Sequence, residues 1–226
     1  MAQEDTFSRS IQNYLKVIYA LTRDGTAVST VALAEKLNVK PASVTNMLQK
    51  LDEFQPNLVI YHKHHGVLLT ADGEREALKI IRRHRLIEQF LYEVLGYSWD
   101  QVHPEAEELE HVISPYFEDR LEALLGTPVV DPHGEPIPDR NLQIAVDESI
   151  SPLVCLLPGQ AAVVRRVSAE SQEMLAYLDD IGLHPGKRIK LVNRNPIDGT
   201  LQVLIGTEEC FFGKATADVI FVSPLK

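Results

Sequence analysis

The sequence predicts an α+β protein of several domains, helical through its first half and closing in a small antiparallel β-barrel. Three observations predict it. Apolar residues recur at helical spacing up to about residue 125, and in short strand-like runs from Gly159 onward. Between those stretches, residues 126–140 hold Pro128, Pro132, Pro136 and Pro138 with Gly126 and Gly134, too many breakers for regular structure. Charge divides the chain at similar places. Residues 1–70 carry seven bases against six acids, residues 71–148 seven against eighteen, and residues 149–226 eight against eight, which together give the net −10. Three domains follow as the expectation: 1–70, 71–148 and 149–226.

The first domain is justified element by element. Ile11, Leu15, Ile18 and Leu21, with Tyr14 beside them, mark an amphipathic helix from Ser8 to Thr22. After Asp24-Gly25, Ser29 can cap a short helix from Thr30 to Leu37. Pro41 suits the first turn of a third helix, which runs to Phe54 with Val44, Met47, Leu48 and Leu51 on one face. From Leu58 to Leu69 two strand-like runs surround a polar, Gly-containing turn. Helix, helix, turn, helix, hairpin is the order of a winged helix-turn-helix, in which the third helix enters the DNA major groove and the hairpin touches the backbone. Lys40, Ala42, Ser43, Thr45, Asn46, Gln49 and Lys50 are the candidate DNA contacts of that helix. Lys63 and His64, with His65, are those of the wing.

The middle domain is all-α by pattern. Thr70 can cap and Gly96 can end a long helix whose stripe of Ala77, Ile80, Ile81, Ile87, Leu91 and Val94 contains His84. His84 and Glu88 lie four apart on one face. A further helix is expected from Pro104 to about Leu125, carrying Leu109, Val112, Ile113, Tyr116, Phe117, Leu121 and Leu124. On it Glu107, Glu110 and His111 have the spacing i, i+3, i+4, and His103 precedes Glu107 by one turn. Two antiparallel helices that each turn carboxylate and imidazole inward call for a cation, because burying those groups without one costs a few kcal/mol each. The donors are oxygen and imidazole without thiolate, a set suited to manganese, ferrous iron or zinc.

Other readings are weaker. A dinuclear-metal enzyme would bring matching Glu-x-x-His motifs from two helices, and only Glu107 or Glu108 with His111 fits, so no enzyme is expected. A winged-helix regulator of a small organic ligand would leave the acidic patch solvated and its DNA affinity untouched by a chelator. Cys155 and Cys210 sit far apart in apolar surroundings, offering neither a disulfide framework nor a thiolate zinc site. The N-terminus is acidic where a signal peptide is basic, and no apolar run approaches the roughly 18 residues of a membrane span. A cytoplasmic protein without membrane association is expected.

The segments His84 to Glu88 and Val102 to Ser114 resemble the metal-binding stretch of the diphtheria toxin repressor family of iron- and manganese-dependent regulators. The resemblance extends to Asn13-Tyr14-Leu15, to Pro41 through Thr45, and to the wing ending in Leu68-Leu69-Thr70. It implies a homodimeric repressor that binds a pseudo-palindromic double-stranded operator when two metal ions per subunit join the first helix to the dimerisation domain. His84, Glu88 and His103 match the family's ancillary site, and Asn13, Glu107, Glu110 and His111 its primary one. Glu107 stands where the iron sensors have Cys and the manganese sensors Glu, which points to the manganese branch, with Mn²⁺ preferred and Fe²⁺ the alternative. Asn13 departs from both branches, where Met or Asp stands. An amide oxygen adds no charge, so the site is weaker or a neighbour such as Gln12 or Asp5 substitutes. Tyr177 through Lys187 resembles the SH3-like domain that these repressors share with a small ferrous-transport protein. By that resemblance two residues of this domain can complete the ancillary site, Glu170 and Glu173, with Gln172 a near alternative.

Overall fold

Each N-terminal helix starts at the residue the sequence offers for it. In the computed structural model, which describes residues 7–169 and 171–225, α1 (Arg9–Leu21) turns Ile11, Tyr14, Leu15 and Ile18 inward. α2 (Thr30–Lys36) begins at Ser29, whose hydroxyl accepts from Ala32 N at 3.2 Å and so satisfies an amide that has no partner within the helix. α3 (Pro41–Asp52) has proline in its first turn and buries Val44, Leu48 and Leu51. The wing is the antiparallel pair β1 (Val59–His62) and β2 (Gly66–Leu69), with Val59 opposite Leu69 and His62 opposite Gly66.

One core joins these elements, drawing Leu15 and Ile18 from α1, Leu33 from α2, Leu48 from α3 and Val59 and Val67 from the wing. α4 (Ala71–Glu93) starts where the wing ends. Thr70 Oγ1 accepts from Gly73 N at 3.1 Å and donates to Asn57 O at 2.7 Å. A Cβ at Gly73 would lie 1.9 Å from the Leu58 carbonyl oxygen, so only glycine lets α4 leave the hairpin this closely. Residues 1–83, 110–112 and 140–142 make up this first compact unit.

The second unit holds the rest of the chain, beginning within α4 at His84. Gly96, at φ +70°, turns the chain after α4 and lets Tyr97 N bond to Leu91 O at 3.0 Å. The single helix expected from Pro104 to Leu125 is in fact two, α5 (Val102–Leu109) and α6 (Pro115–Leu124), with a turn at residues 110–112. Pro115 explains the break: it has no N–H, and its ring would strike the carbonyl four residues back. Ser114 then caps the new helix, accepting from Phe117 N at 3.2 Å. Glu110 and His111 therefore sit in the inter-helix turn and not on a helical face. Ile87, Leu91, Val102, Ala106 and Leu121 form the core of this helical part. Tyr116, Phe117, Leu124 and Val129 are exposed apolar side chains on this unit's surface.

The C-terminal sheet follows in β3 (Ser151–Pro152), β4 (Ala161–Val167), β5 (Arg188–Arg194), β6 (Leu201–Ile205), β7 (Glu208–Phe212) and β8 (Ile220–Pro224). Its order is β3-β8-β4-β5-β6-β7, every pair antiparallel. α7 (Gln172–Asp180), capped by Ser171, lies in the connection from β4 to β5, and α8 (Lys214–Val219) precedes β8. Trp99, from the loop after α4, is buried in this core. No helix among the described residues is long and apolar enough to cross a membrane.

Candidate metal centre

The long helix α4 positions the central carboxylate. Glu88 is buried one turn after His84, and His103 reaches the same point from the first turn of α5. His84 Nε2 lies 2.9 Å from Glu88 Oε1, His103 Nδ1 lies 3.0 Å from the same oxygen, and the two nitrogens are 3.0 Å apart. Burial alone would raise the Glu88 carboxyl. The charge of His84 and hydrogen bonds from His103 and His84, with the charge of His133, outweigh it and hold the group well below the usual carboxylate range.

A second set of donors shares Glu88. Asp131 and His133, both buried, bring a carboxylate oxygen and a ring nitrogen within 4.8 Å of it and of each other. His133 Nε2 is 3.0 Å from the Trp99 carbonyl oxygen. A carbonyl only accepts, so Nε2 carries the proton and Nδ1 keeps the lone pair. Burial, before anything else, pushes the His133 imidazole down and the Asp131 carboxyl well up; the nearby Glu88 charge adds to the rise at Asp131, and Arg85 opposes it. Gly134 locks this loop in place. It adopts φ +83°, a Cβ there would fall 2.0 Å from Arg165 O, and the adjacent His133 carbonyl accepts from Val167 N on β4 at 2.8 Å.

The first unit contains the third set. Lys16 on α1 places Nζ 2.8 Å from both carboxylate oxygens of Glu110. His111 Nδ1 donates to Gln12 Oε1 at 2.6 Å, and its Nε2 lies 3.3 Å from Glu110 Oε1. On the same stretch of helix, Asn13 Oδ1 is buried without a hydrogen-bond partner among the described residues, an arrangement that leaves its desolvation uncompensated.

A divalent cation fits these donors. Neighbouring ligands of a six-coordinate ion with bonds of ~2.1 Å stand ~3.0 Å apart, which is the spacing of His84, Glu88 and His103. Every donor is oxygen or imidazole, in keeping with the first-row divalent metals. The buried Asn13 oxygen is a further acceptor without a donor among the described residues.

The remaining expected ligands are placed as follows. Glu107 lies in the second unit, with Oε1 3.8 Å from His103 Nε2. Glu173 is exposed, accepts from Ser171 Oγ at 2.6 Å, and by that bond has its carboxyl held below the usual range. Glu170 and Asp5 lie outside the described residues. Sequence reasoning passed over Asp131 and His133. The signal was two potential ligands flanking Pro132, inside a stretch dismissed as irregular.

Of the residues expected to contact DNA, Lys40, Ala42, Ser43, Asn46, Gln49 and Lys50 are exposed along α3, as are Lys63 and His64 on the wing. Thr45 is half-buried, and its hydroxyl donates to Pro41 O at 3.2 Å.

A winged helix-turn-helix followed by clustered imidazoles and carboxylates defines a metal-responsive DNA-binding protein. Comparison with known proteins narrows this. Residues 6–67 match the iron dependent repressor N-terminal DNA binding domain, residues 70–139 the iron dependent repressor metal binding and dimerisation domain, and residues 152–224 the FeoA domain. The iron-dependent repressor IdeR of Mycobacterium leprae (strain TN) is 32% identical over 206 residues, covering 86% of this chain and 88% of that protein. The HTH-type transcriptional regulator MntR of Oceanobacillus iheyensis is 36% identical over 112 residues, covering 50% of this chain and 74% of that protein. Among solved structures, a manganese-dependent transcriptional repressor in complex with manganese is 36% identical, with a TM-score of 0.85 over 95% of this chain and 100% of that one. The chain belongs to the iron-dependent repressor family, that of the diphtheria toxin repressor: metal-dependent, DNA-binding transcriptional repressors with a dimerisation domain.

Proposed function

We propose that this protein is a manganese-responsive repressor of metal-uptake genes that acts in the cytoplasm as a homodimer on a pseudo-palindromic operator. The observation that carries the metal reading is the convergence of His84, Glu88 and His103 at 2.9–3.0 Å. Two sites per subunit are proposed. One draws on Glu88 with His84 and His103, and takes Asp131 and His133 as further donors. The other draws on Asn13, Glu110 and His111, with Glu107 assigned to it by the sequence pattern alone. Glu173 is not needed by either set. The absence of thiolate, with carboxylate oxygen in each proposed set, favours Mn²⁺; Fe²⁺ is the competing ion. The domain division at residues 70 and 148 belongs to the same reading.

The bound cation supplies positive charge among carboxylates that otherwise repel one another. The chain's own groups do the rest. Gln12 fixes the His111 ring through Nδ1, and the Trp99 carbonyl fixes His133 through Nε2, so each ring keeps one nitrogen for a ligand. The ends of α3 and the wing then supply the DNA contacts, with Lys40, Lys50 and Lys63 on phosphate and Ser43, Asn46 and Gln49 towards base edges. Linkage requires operator DNA to tighten metal binding by the factor that metal tightens DNA binding, typically about 5- to 150-fold.

The test is operator affinity against Mn²⁺, Fe²⁺ and Zn²⁺ at fixed ionic strength, with and without chelator. Mn²⁺ is expected to give the tightest complex and the chelator to abolish it. DNA binding that survives the chelator would favour a repressor governed by a small organic ligand and end the metal reading.

A further inference from the structure

We infer that Lys16 is a tethered cation that holds Glu110 in the metal-free protein and competes with the incoming metal, setting the concentration at which the repressor responds. The inference rests on the proposed metal role of Glu110. Lys16 Nζ sits 2.8 Å from each carboxylate oxygen, so the ammonium spans the edge a metal would use. The Glu110 side chain is wholly buried, while that of Lys16 keeps 18% exposure. A buried carboxylate needs a counter-charge, and the ammonium provides it from a long stem that can swing to water while its methylenes stay packed.

Charge balance gives the consequence. The Lys16 ammonium offsets the charge of Glu110, and the Gln12 and Asn13 amides beside them are uncharged. A divalent ion arriving there meets the ammonium's positive charge on the carboxylate edge unless Lys16 leaves. Gln12, one turn earlier on α1, accepts from His111 through a hydrogen bond in which Lys16 takes no part. The opposition is electrostatic and common to all divalent ions. Lys16 therefore raises the threshold for every metal alike without changing their order.

Equilibrium dialysis of the full chain with Mn²⁺ and with Zn²⁺, at fixed pH and salt, tests this. Lys16→Met, which keeps the stem and removes the charge, is expected to tighten the weaker site about tenfold for both ions, and Lys16→Arg to stay within about twofold of the parent. In chelator, Lys16→Met should melt at a lower temperature than the parent, because the ammonium 2.8 Å from both oxygens of the buried Glu110 carboxylate is gone, and it should gain more from added Mn²⁺. If that variant fails to fold, amine labelling of the parent read by mass spectrometry decides: Mn²⁺ should raise labelling at Lys16. Unchanged or weaker metal affinity in Lys16→Met, or labelling at Lys16 that Mn²⁺ leaves unchanged, overturns the inference while the metal reading stands. A parent that binds no Mn²⁺ overturns both.

Discussion

Glu88 and Glu110 are both buried carboxylates in a family of metal-dependent repressors, yet the protein balances them differently. Glu88 is held by two imidazoles, with a third close by, and those rings can stay in place as neutral ligands when a cation binds. Glu110 is held by an ammonium, which has no lone pair to offer and cannot become a ligand while charged. In the proposed reading, one group is preorganised for a metal, and the other is closed by a charge that must be moved. The difference teaches that burial alone does not make a metal site, since the identity of the counter-charge decides whether occupancy costs a rearrangement.

Removing the shared carboxylate should have the largest effect. Glu88→Ala takes an oxygen from both donor sets around it, and isothermal titration is expected to show one Mn²⁺ per subunit lost, with Mn²⁺-dependent operator binding down about 100-fold. Full stoichiometry in that variant would place that ion elsewhere.

Gly134→Ala disturbs the same region indirectly. The added methyl meets Arg165 O in a backbone conformation that disfavours alanine, for a cost of about 1–3 kcal/mol. A lower melting temperature and weaker metal binding are expected together, and normal metal affinity would detach the loop from the site.

His133→Ala and Glu173→Ala form a matched pair. The first should weaken Mn²⁺ binding about tenfold and alter the fluorescence of Trp99, whose ring lies 4.9 Å from the His133 ring. Glu173→Ala should change neither. The reverse pattern would restore the ligand assignment made from sequence resemblance.

The smallest effect belongs to the DNA face. Lys40→Ala should weaken all DNA sequences about equally and reduce the salt slope by about 1, whereas Gln49→Ala should blunt discrimination among operators. A Lys40→Ala variant with an unchanged salt slope would remove that residue from the phosphate contacts.

Much of this was legible from local pattern. The three N-terminal helices and the wing lie within two residues of their expected bounds, because Ser29, Pro41 and Thr70 are start signals that act on their own neighbours. His84 and Glu88 were readable as a pair, since one turn of helix brings them together regardless of what surrounds it. Apolar spacing runs on through residue 110 and past Pro115, but the helix it predicts breaks in two because the local geometry of proline overrides that pattern. Asp131 and His133 escaped notice for a different reason. Their approach to Glu88 closes a span of more than forty residues, and no periodicity records such a closure.

The amino-acid order determined which segments are helices and strands, the acidic character of the middle of the chain, and the presence of oxygen and nitrogen ligands without sulfur. Folding decided which of those ligands meet, which carboxylate receives an ammonium, and which asparagine oxygen is left without a donor among the described residues. The division follows from range: capping, periodicity and proline act over one or two turns, whereas desolvation and counter-charge depend on whatever distant residues the packed chain brings alongside.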